Sequence, residues 1–252
     1  MIESFRVDVP QDDLDGLVER LARTRWPAGT GWAELTGLVE HWQAHFDWRR
    51  QEARLNSFPQ FIATVNGCRV HFLHVRSQKP GALPLIVGRG GPGTVFGILD
   101  DLRVLATDFH LVVPTLPGFP FGGVRAGAEQ TAEAWAELMA RLGYVRYGVH
   151  GGGFGTPVAA MLAELHPERA FRVQLDGLEE AAKPDDGLGA AAVAFNDSPA
   201  GLLEWCLRDR GGRDDEALLT DVTTFWLAGV TPPPEGGTMA ALRVPEIRDY
   251  FI

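Results

Sequence analysis

Five consecutive residues, Gly151-Gly152-Gly153-Phe154-Gly155, have the spacing of a nucleophile elbow. In an elbow a strand turns sharply into a helix, and small residues two before and two after the apex permit the strained turn that lifts a nucleophile into a cleft. Gly151 and Gly155 fill the small positions. The apex, where Ser, Cys or Asp would attack an electrophilic carbon, is Gly153, which has no side chain to attack with. Two polar residues nearby could move a proton. His150 stands three positions before the apex, at a strand end, where an imidazole is either a buried hydrogen-bonded residue or a general base. Asp176 follows the next strand at the carboxyl edge of the sheet, where ligands bind in open α/β sheets and where a turn or helix-cap aspartate is also common.

The elements that would position these residues follow from periodicity. Leu14, Leu17, Val18 and Leu21, then Leu35, Leu38, Val39 and Trp42, repeat at helical spacing, so the first sixty residues read as helical and rich in tryptophan that packs against a larger body. Asn66-Gly67 between apolar runs signals a two-residue hairpin. Strands at 83–88, 109–114, 147–150 and 171–175 then alternate with helices at 95–106 and 129–142 and after the elbow. Such alternation predicts a mostly parallel sheet with helices on both faces, the hairpin adding an antiparallel edge. After Asp176 the alternation stops. Asn196-Asp197-Ser198-Pro199 reads as a helix cap with proline in the first turn, a further helix runs to Gly229, and no strand is evident after Leu175. The expected organisation is a helical region at 1–58, a sheet core at 59–178 and a helical segment at 179–252.

Composition sets outer limits. With 252 residues, 45% hydrophobic and 22% charged, the chain is an ordinary globular protein. A net charge of −10 argues against nucleic acid or an anionic membrane as a partner. Cys68 and Cys206 have no CxxC spacing, so neither a metal nor a redox site is indicated and no cofactor is expected. They fit a reducing compartment. No basic-then-apolar leader and no run of membrane-spanning length is present, and the expected location is cytoplasmic.

Several dispersed stretches together resemble the microsomal-type epoxide hydrolases, in which an epoxide-hydrolase N-terminal region precedes an α/β-hydrolase core. They are F-R-V-D-V-P from Phe5, R-L-A-R-T-R-W-P from Arg20, F-D-W-R from Phe46, L-N-S-F-P-Q-F from Leu55 and V-H-F-L-H-V-R-S from Val70. They continue with F-H-L-V-V-P-T-L-P-G-F from Phe109, A-W-A-E-L-M-A-R-L-G-Y from Ala134 and N-D-S-P-A-G-L from Asn196. The resemblance implies a fold in which an elbow aspartate attacks the epoxide, a histidine oriented by a carboxylate activates water, and two lid tyrosines and an oxyanion hole hold the oxygen. Position by position, this sequence departs from that set. The family's G-G-D-W-G is Gly151–Gly155, with Gly153 at the nucleophile position. Its G-G-H-F is Gly236-Gly237-Thr238-Met239, so the base position holds Thr238. Its H-G-W-P-G is Arg89-Gly90-Gly91-Pro92-Gly93. No lid tyrosine precedes Asn196, and Phe225-Trp226-Leu227-Ala228-Gly229 runs almost directly into Gly236.

The resemblance therefore implies a truncated α/β-hydrolase fold with an N-terminal helical extension and degenerate catalytic positions. Epoxide hydrolysis is expected to be absent. The N–H groups of Phe154 and Gly91 are expected to face one cavity at a helix N-terminus, with Arg89 adding charge, a setting that suits an anion or a carbonyl oxygen. Three readings stay open: an apolar small molecule bound in the old cleft, in a cyclisation or rearrangement of secondary metabolism; a non-catalytic structural or regulatory partner; and a product with no retained function. Loss of the sheet's last strands would leave the strand at 171–175 on an edge, for which a homodimer or the chain's own C-terminal helices are alternative covers.

Overall fold

The computed structural model describes residues 1–90, 94–123, 126–176, 194–208 and 210–229. Its centre is a seven-stranded mixed sheet. The strands are β1 (Ile2–Phe5), β2 (Gln60–Val65), β3 (Cys68–Val75), β4 (Leu83–Gly90), β5 (Phe109–Pro114), β6 (Tyr147–Gly153) and β7 (Ala170–Asp176), in spatial order β1-β2-β3-β5-β4-β6-β7. β5, β4, β6 and β7 run parallel to one another, while β1, β2 and β3 form an antiparallel flank that joins β5 through the antiparallel pair β3–β5. Asn66 and Gly67 take positive φ values of 50° and 78°, the conformation a two-residue turn between β2 and β3 demands. No strand follows β7 among the described residues.

The helices are α1 (Gln11–Ala22), α2 (Ala33–Ala44), α3 (Trp48–Asn56), α4 (Leu99–Leu105), α5 (Ala128–Arg141), α6 (Gly155–Leu165), α7 (Pro199–Arg208) and α8 (Asp215–Ala228). One sheet face packs on α5 and α6 through Trp135, Leu138, Met139, Val158 and Leu162. The opposite face packs on Trp48, Leu55, Phe96, Leu99 and Leu102. A third core joins α1 and α2 to α7 and α8, with Leu17, Leu21, Leu38 and Trp42 against Leu203, Cys206, Leu218 and Val222. Within it the indole N–H of Trp42 donates to Thr223 Oγ1 at 2.9 Å. Trp42 and Trp48 are thus packing residues, as expected of the tryptophans in this helical region.

Four details differ from the sequence reading. The first residues are a strand, not part of a helical region: β1 lies on β2 with Ile2 opposite Ala63 and Phe5 opposite Gln60. A four-residue edge strand has too little pattern of its own and exists through its neighbour's ladder. The helix expected at 95–106 begins as a 3-10 turn, Val95–Ile98, before α4. β4 extends to Gly90, so Arg89 belongs to a strand, and β6 extends through all three glycines to Gly153 because parallel ladders on both sides hold it.

His71 and Gln60 illustrate how the sheet satisfies buried polar groups. His71 is fully buried, its Nε2 lies 3.1 Å from Gln60 Oε1 and its Nδ1 2.8 Å from the Thr115 hydroxyl. Burial, aided by Arg69, pushes its pKa down from 6.5 to about 4, so the ring is neutral in the fold. The unfolded chain binds this proton near pH 6.5 and the folded chain near pH 4, so stability is intact above pH 6.5 and is lost as pH falls to 4. His71 accounts for about 3 kcal/mol of that loss. His74, half-buried and also lowered to about 4, chiefly by burial, adds to it in the same direction with a smaller, solvent-screened share. Denaturant titration at pH 7.5 and pH 4.5 should show the drop, and His71→Gln should flatten it.

Candidate functional site

The elbow backbone is built. β6 ends at Gly153, Phe154 caps the N-terminus of α6 in a helical conformation, and Gly153 has φ +57°. A left-handed apex between strand and helix is the strained turn that presents a nucleophile. The flanking glycines are required by close approach. A Cβ on Gly155 would sit 2.1 Å from the carbonyl oxygen of Gly88, and one on Gly151 would sit 2.5 Å from Ala159 Cβ and 3.0 Å from Thr156 Cα. Helix α6 is therefore drawn against β4 and β6 so tightly that only glycine fits, and the scaffold of the elbow is kept while its apex carries nothing.

Around the apex the carboxyl ends of three adjacent strands bring Arg89, His150 and Asp176 together on one face. Their register places Val87 beside His150 and Gln174, and Arg89 beside Gly152 and Asp176. His150 is fully buried and its Nε2 donates to Asp176 Oδ2 at 2.9 Å. Burial pushes the imidazole pKa down, the bond to Asp176 opposes that shift, and the nearby Arg89 charge adds to it. A neutral ring protonated at Nε2 fits this setting, which leaves Nδ1 as a buried acceptor with no partner. Asp176 is further fixed by its backbone, whose carbonyl accepts the Thr156 hydroxyl at 2.6 Å. The side chain of Arg89 is mostly buried and its guanidinium lies 3.8 Å from Asp101. Burial lowers its pKa, and Asp101, Asp176 and Asp221 act against that shift. Arginine stays charged under such a shift, so the cluster holds a fixed cation beside the apex.

Phe154 is buried and packs at 5.8 Å on Phe119, whose ring is 5.8 Å from Phe225. This row of aromatic rings occupies the space beside the elbow. A cavity of about 20 Å³ remains between Arg89, Thr94, Thr115, Leu116, Phe119 and Pro120. That is room for roughly one water molecule. Gly91 and Thr238 lie outside the described residues, as do residues 187–193 of the stretch 187–195, which holds no counterpart of the family's lid tyrosine. Of the sequence candidates, the structure thus brings together Gly153, Phe154, Arg89, His150 and Asp176. The other histidines with strand or helix roles are bonded elsewhere: His74 to the Tyr144 hydroxyl at 2.9 Å, His110 to the Ser77 N–H at 3.1 Å and His166 to Glu133 at 3.3 Å.

One part of the site was not read from the sequence. Asp221 on α8 is buried and accepts from the Thr94 N–H at 2.9 Å, the Thr94 hydroxyl at 2.8 Å and Arg213 at 3.0 Å. Thr94 immediately follows 91–93 and caps the 3-10 turn. Asp221 therefore clasps Thr94, at the end of the loop after β4, to α8. Burial pushes its carboxyl pKa up, while Arg213 and Thr94 pull it back. The available signal was an aspartate in the apolar run Leu218-Leu219-Thr220-Asp221-Val222, a position that helix periodicity turns inward.

Comparison with known proteins bears on this geometry. Residues 2–98 match the family model "Epoxide hydrolase N terminus". A protein of Stigmatella aurantiaca assigned by name to the epoxide hydrolases is 40% identical over 199 residues, covering 69% of this chain and 45% of that protein. The chain belongs to the epoxide hydrolase family. Epoxide hydrolase 1 of Oryctolagus cuniculus is 26% identical over 202 residues, covering 69% of this chain and 44% of the rabbit protein. The epoxide hydrolase structure of Aspergillus niger superposes with a TM-score of 0.79 at 26% identity, covering 92% of this chain and 76% of that one. Juvenile hormone epoxide hydrolase of the silkworm Bombyx mori has the same fold, with a TM-score of 0.76. The sheet and its helices are thus an α/β-hydrolase fold. The chain spans less than half the length of the Stigmatella aurantiaca and rabbit proteins. Among the described residues no helix is long and apolar enough to cross a membrane, and no group of three or more side chains is placed to hold a metal ion.

Proposed function

We propose that this epoxide hydrolase-family chain does not hydrolyse epoxides and that its elbow serves as an oxygen-binding cradle for an apolar small molecule. The observation that carries the reading is the apex itself: Gly153 has the left-handed conformation of a nucleophile position and no side chain. Without a carboxylate there, no ester to the enzyme forms; without an imidazole at Thr238, none would be resolved. What the apex keeps is the N-terminus of α6, with the Phe154 N–H, and the buried charge of Arg89. Both favour a carboxylate or a polarised carbonyl. An apolar molecule with such a group, turned over in a cyclisation or rearrangement of secondary metabolism, needs positioning and hydrogen bonds rather than a nucleophile. It would enter by displacing Phe119 from Phe154.

Thermal denaturation with a series of aryl carboxylates tests this binding. At a hundredfold excess over Kd a ligand adds about 2.7 kcal/mol, a rise of roughly 5–10 °C for a chain of this size. The rise should vanish in Arg89→Ala and grow in Phe119→Ala. No shift with any carboxylate, or an equal shift in Arg89→Ala, would refute the cradle. The filled space beside the elbow favours a second reading, a non-catalytic structural or regulatory partner. On that reading no carboxylate shifts the melting temperature even when Phe119 is truncated.

A further inference from the structure

Away from the elbow, two histidines lie one turn apart at the end of α2. The backbone N–H of His45 donates to the His41 carbonyl at 2.8 Å, so the helical turn runs on to His45 and the two side chains share one face. Their ring centroids are 5.6 Å apart and the rings are tilted by 47°. His41 Nε2 lies 3.4 Å from Oε1 of Glu216, in the first turn of α8. The other oxygen of Glu216 has Gln51 Nε2, also at 3.4 Å. Both contacts are long for hydrogen bonds, which centre near about 2.9–3.0 Å, so neither holds the carboxylate firmly. His45 is exposed, and among the described residues its ring takes part in no hydrogen bond. The side chains of His41 and Glu216 are 37% and 45% exposed, so an ion arriving from solvent reaches all three groups.

We propose that His41, His45 and Glu216 bind one divalent transition-metal ion of the kind that prefers imidazole, such as zinc. Two histidines four positions apart on a helix can each offer a nitrogen to an ion beside that helix. A tetrahedral ion about 2.0–2.1 Å from an imidazole nitrogen and about 2.0–2.2 Å from a carboxylate oxygen sets those two atoms about 3.4 Å apart. The contact between His41 and Glu216 already has that length. Two imidazoles on one such ion have centroids about 5–6 Å apart, and the His41 and His45 rings match this separation. The three side chains are not gathered around one point as they stand. The His45 ring and the Glu216 carboxylate are exposed enough to turn toward it, and water fills the fourth position. The C-terminal end of α2, whose carbonyl groups carry partial negative charge, adds to the attraction for a cation. The ion cross-links α2 to α8 over the third core. This inference stands apart from the function of the elbow.

Calorimetric titration of the full chain, freed of metal with a chelator, tests the site. Zinc chloride should bind with one ion per chain, and magnesium chloride should give no binding, since magnesium favours oxygen ligands and keeps its water. His41→Gln and His45→Gln should each weaken zinc binding by about tenfold or more, because even a hydrogen bond that supports a ligand is worth that much. Glu216→Gln should weaken it by a smaller factor. His166→Gln, at the end of α6, should bind as the wild type does. Excess zinc should raise the melting temperature of the wild type and leave that of His41→Gln unchanged. The wild type alone gives a second readout: in NMR of the imidazole groups, zinc should move the signals of His41 and His45 and leave those of the other histidines in place. A wild type that binds no zinc, magnesium binding as tight as zinc, unaltered zinc affinity in both His41→Gln and His45→Gln, or zinc shifts confined to other histidines would each overturn the proposal.

Discussion

Gly155→Ala is expected to destabilise the chain by about 3 kcal/mol or more, lowering the melting temperature by roughly 6–12 °C. A single methyl group does this because of what it meets. The added carbon would lie 2.1 Å from the carbonyl oxygen of Gly88, 2.4 Å from its carbonyl carbon and 2.9 Å from the Arg89 nitrogen. These are backbone atoms of a central strand, with no rotamer to change, so the helix must withdraw from β4 or the strand must bend. Either movement also displaces the Phe154 N–H and Arg89 from the cradle. Gly16→Ala provides a control of opposite sign. Gly16 lies within α1 with nothing within 4 Å of the added carbon. Alanine there should stabilise by about 0.5–1 kcal/mol through helix propensity and reduced freedom of the unfolded chain. Guanidinium denaturation of the two variants beside the wild type checks both signs.

Asp221→Ala is expected to cost about 3–5 kcal/mol. The substitution leaves the Arg213 guanidinium, whose side chain is mostly buried, without this carboxylate, and removes the acceptor from both the Thr94 N–H and its hydroxyl. Thr94→Val removes one of the three bonds and should cost about 1 kcal/mol. The loss in the double variant should fall short of the two single losses added together, since the groups share one network. The same pair reads out position as well as stability. If Asp221 holds the loop after β4 for ligand, Asp221→Ala weakens carboxylate binding at a temperature where the protein is still folded.

Much of the architecture was legible because it rests on local rules. The hairpin at Asn66-Gly67, the alternation from β4 to β7 and the proline at the start of α7 were all read with the correct type and order. The elbow was legible because the tight approach of α6 to β4 and β6 can be met only by glycine at 151 and 155. Contacts between distant parts were not legible. β1 shows no strand pattern because β2 supplies its order. Arg89 could not be read as a mostly buried strand residue, since its burial comes from the surrounding elements. The pairing of His150 with Asp176 joins residues 26 apart that meet through the register of two parallel strands. Asp221 and Thr94, 127 residues apart, share no sequence signal that pairs them.

The central claim is that an intact elbow without its nucleophile leaves no epoxide hydrolysis. Restoring one group should not bring it back. Gly153→Asp would seat a carboxylate at an apex with φ +57°, a conformation aspartate tolerates better than most residues. Yet Thr238 supplies no base, and members of such a catalytic set act as a unit, so this variant is expected to stay close to background. The most direct measurement is diol formation from an aryl epoxide such as styrene oxide by the purified wild-type chain, followed over many hours against a no-protein control. The account predicts a rate indistinguishable from the control. Sustained turnover above it, abolished by substituting His150 or Asp176, would contradict the account.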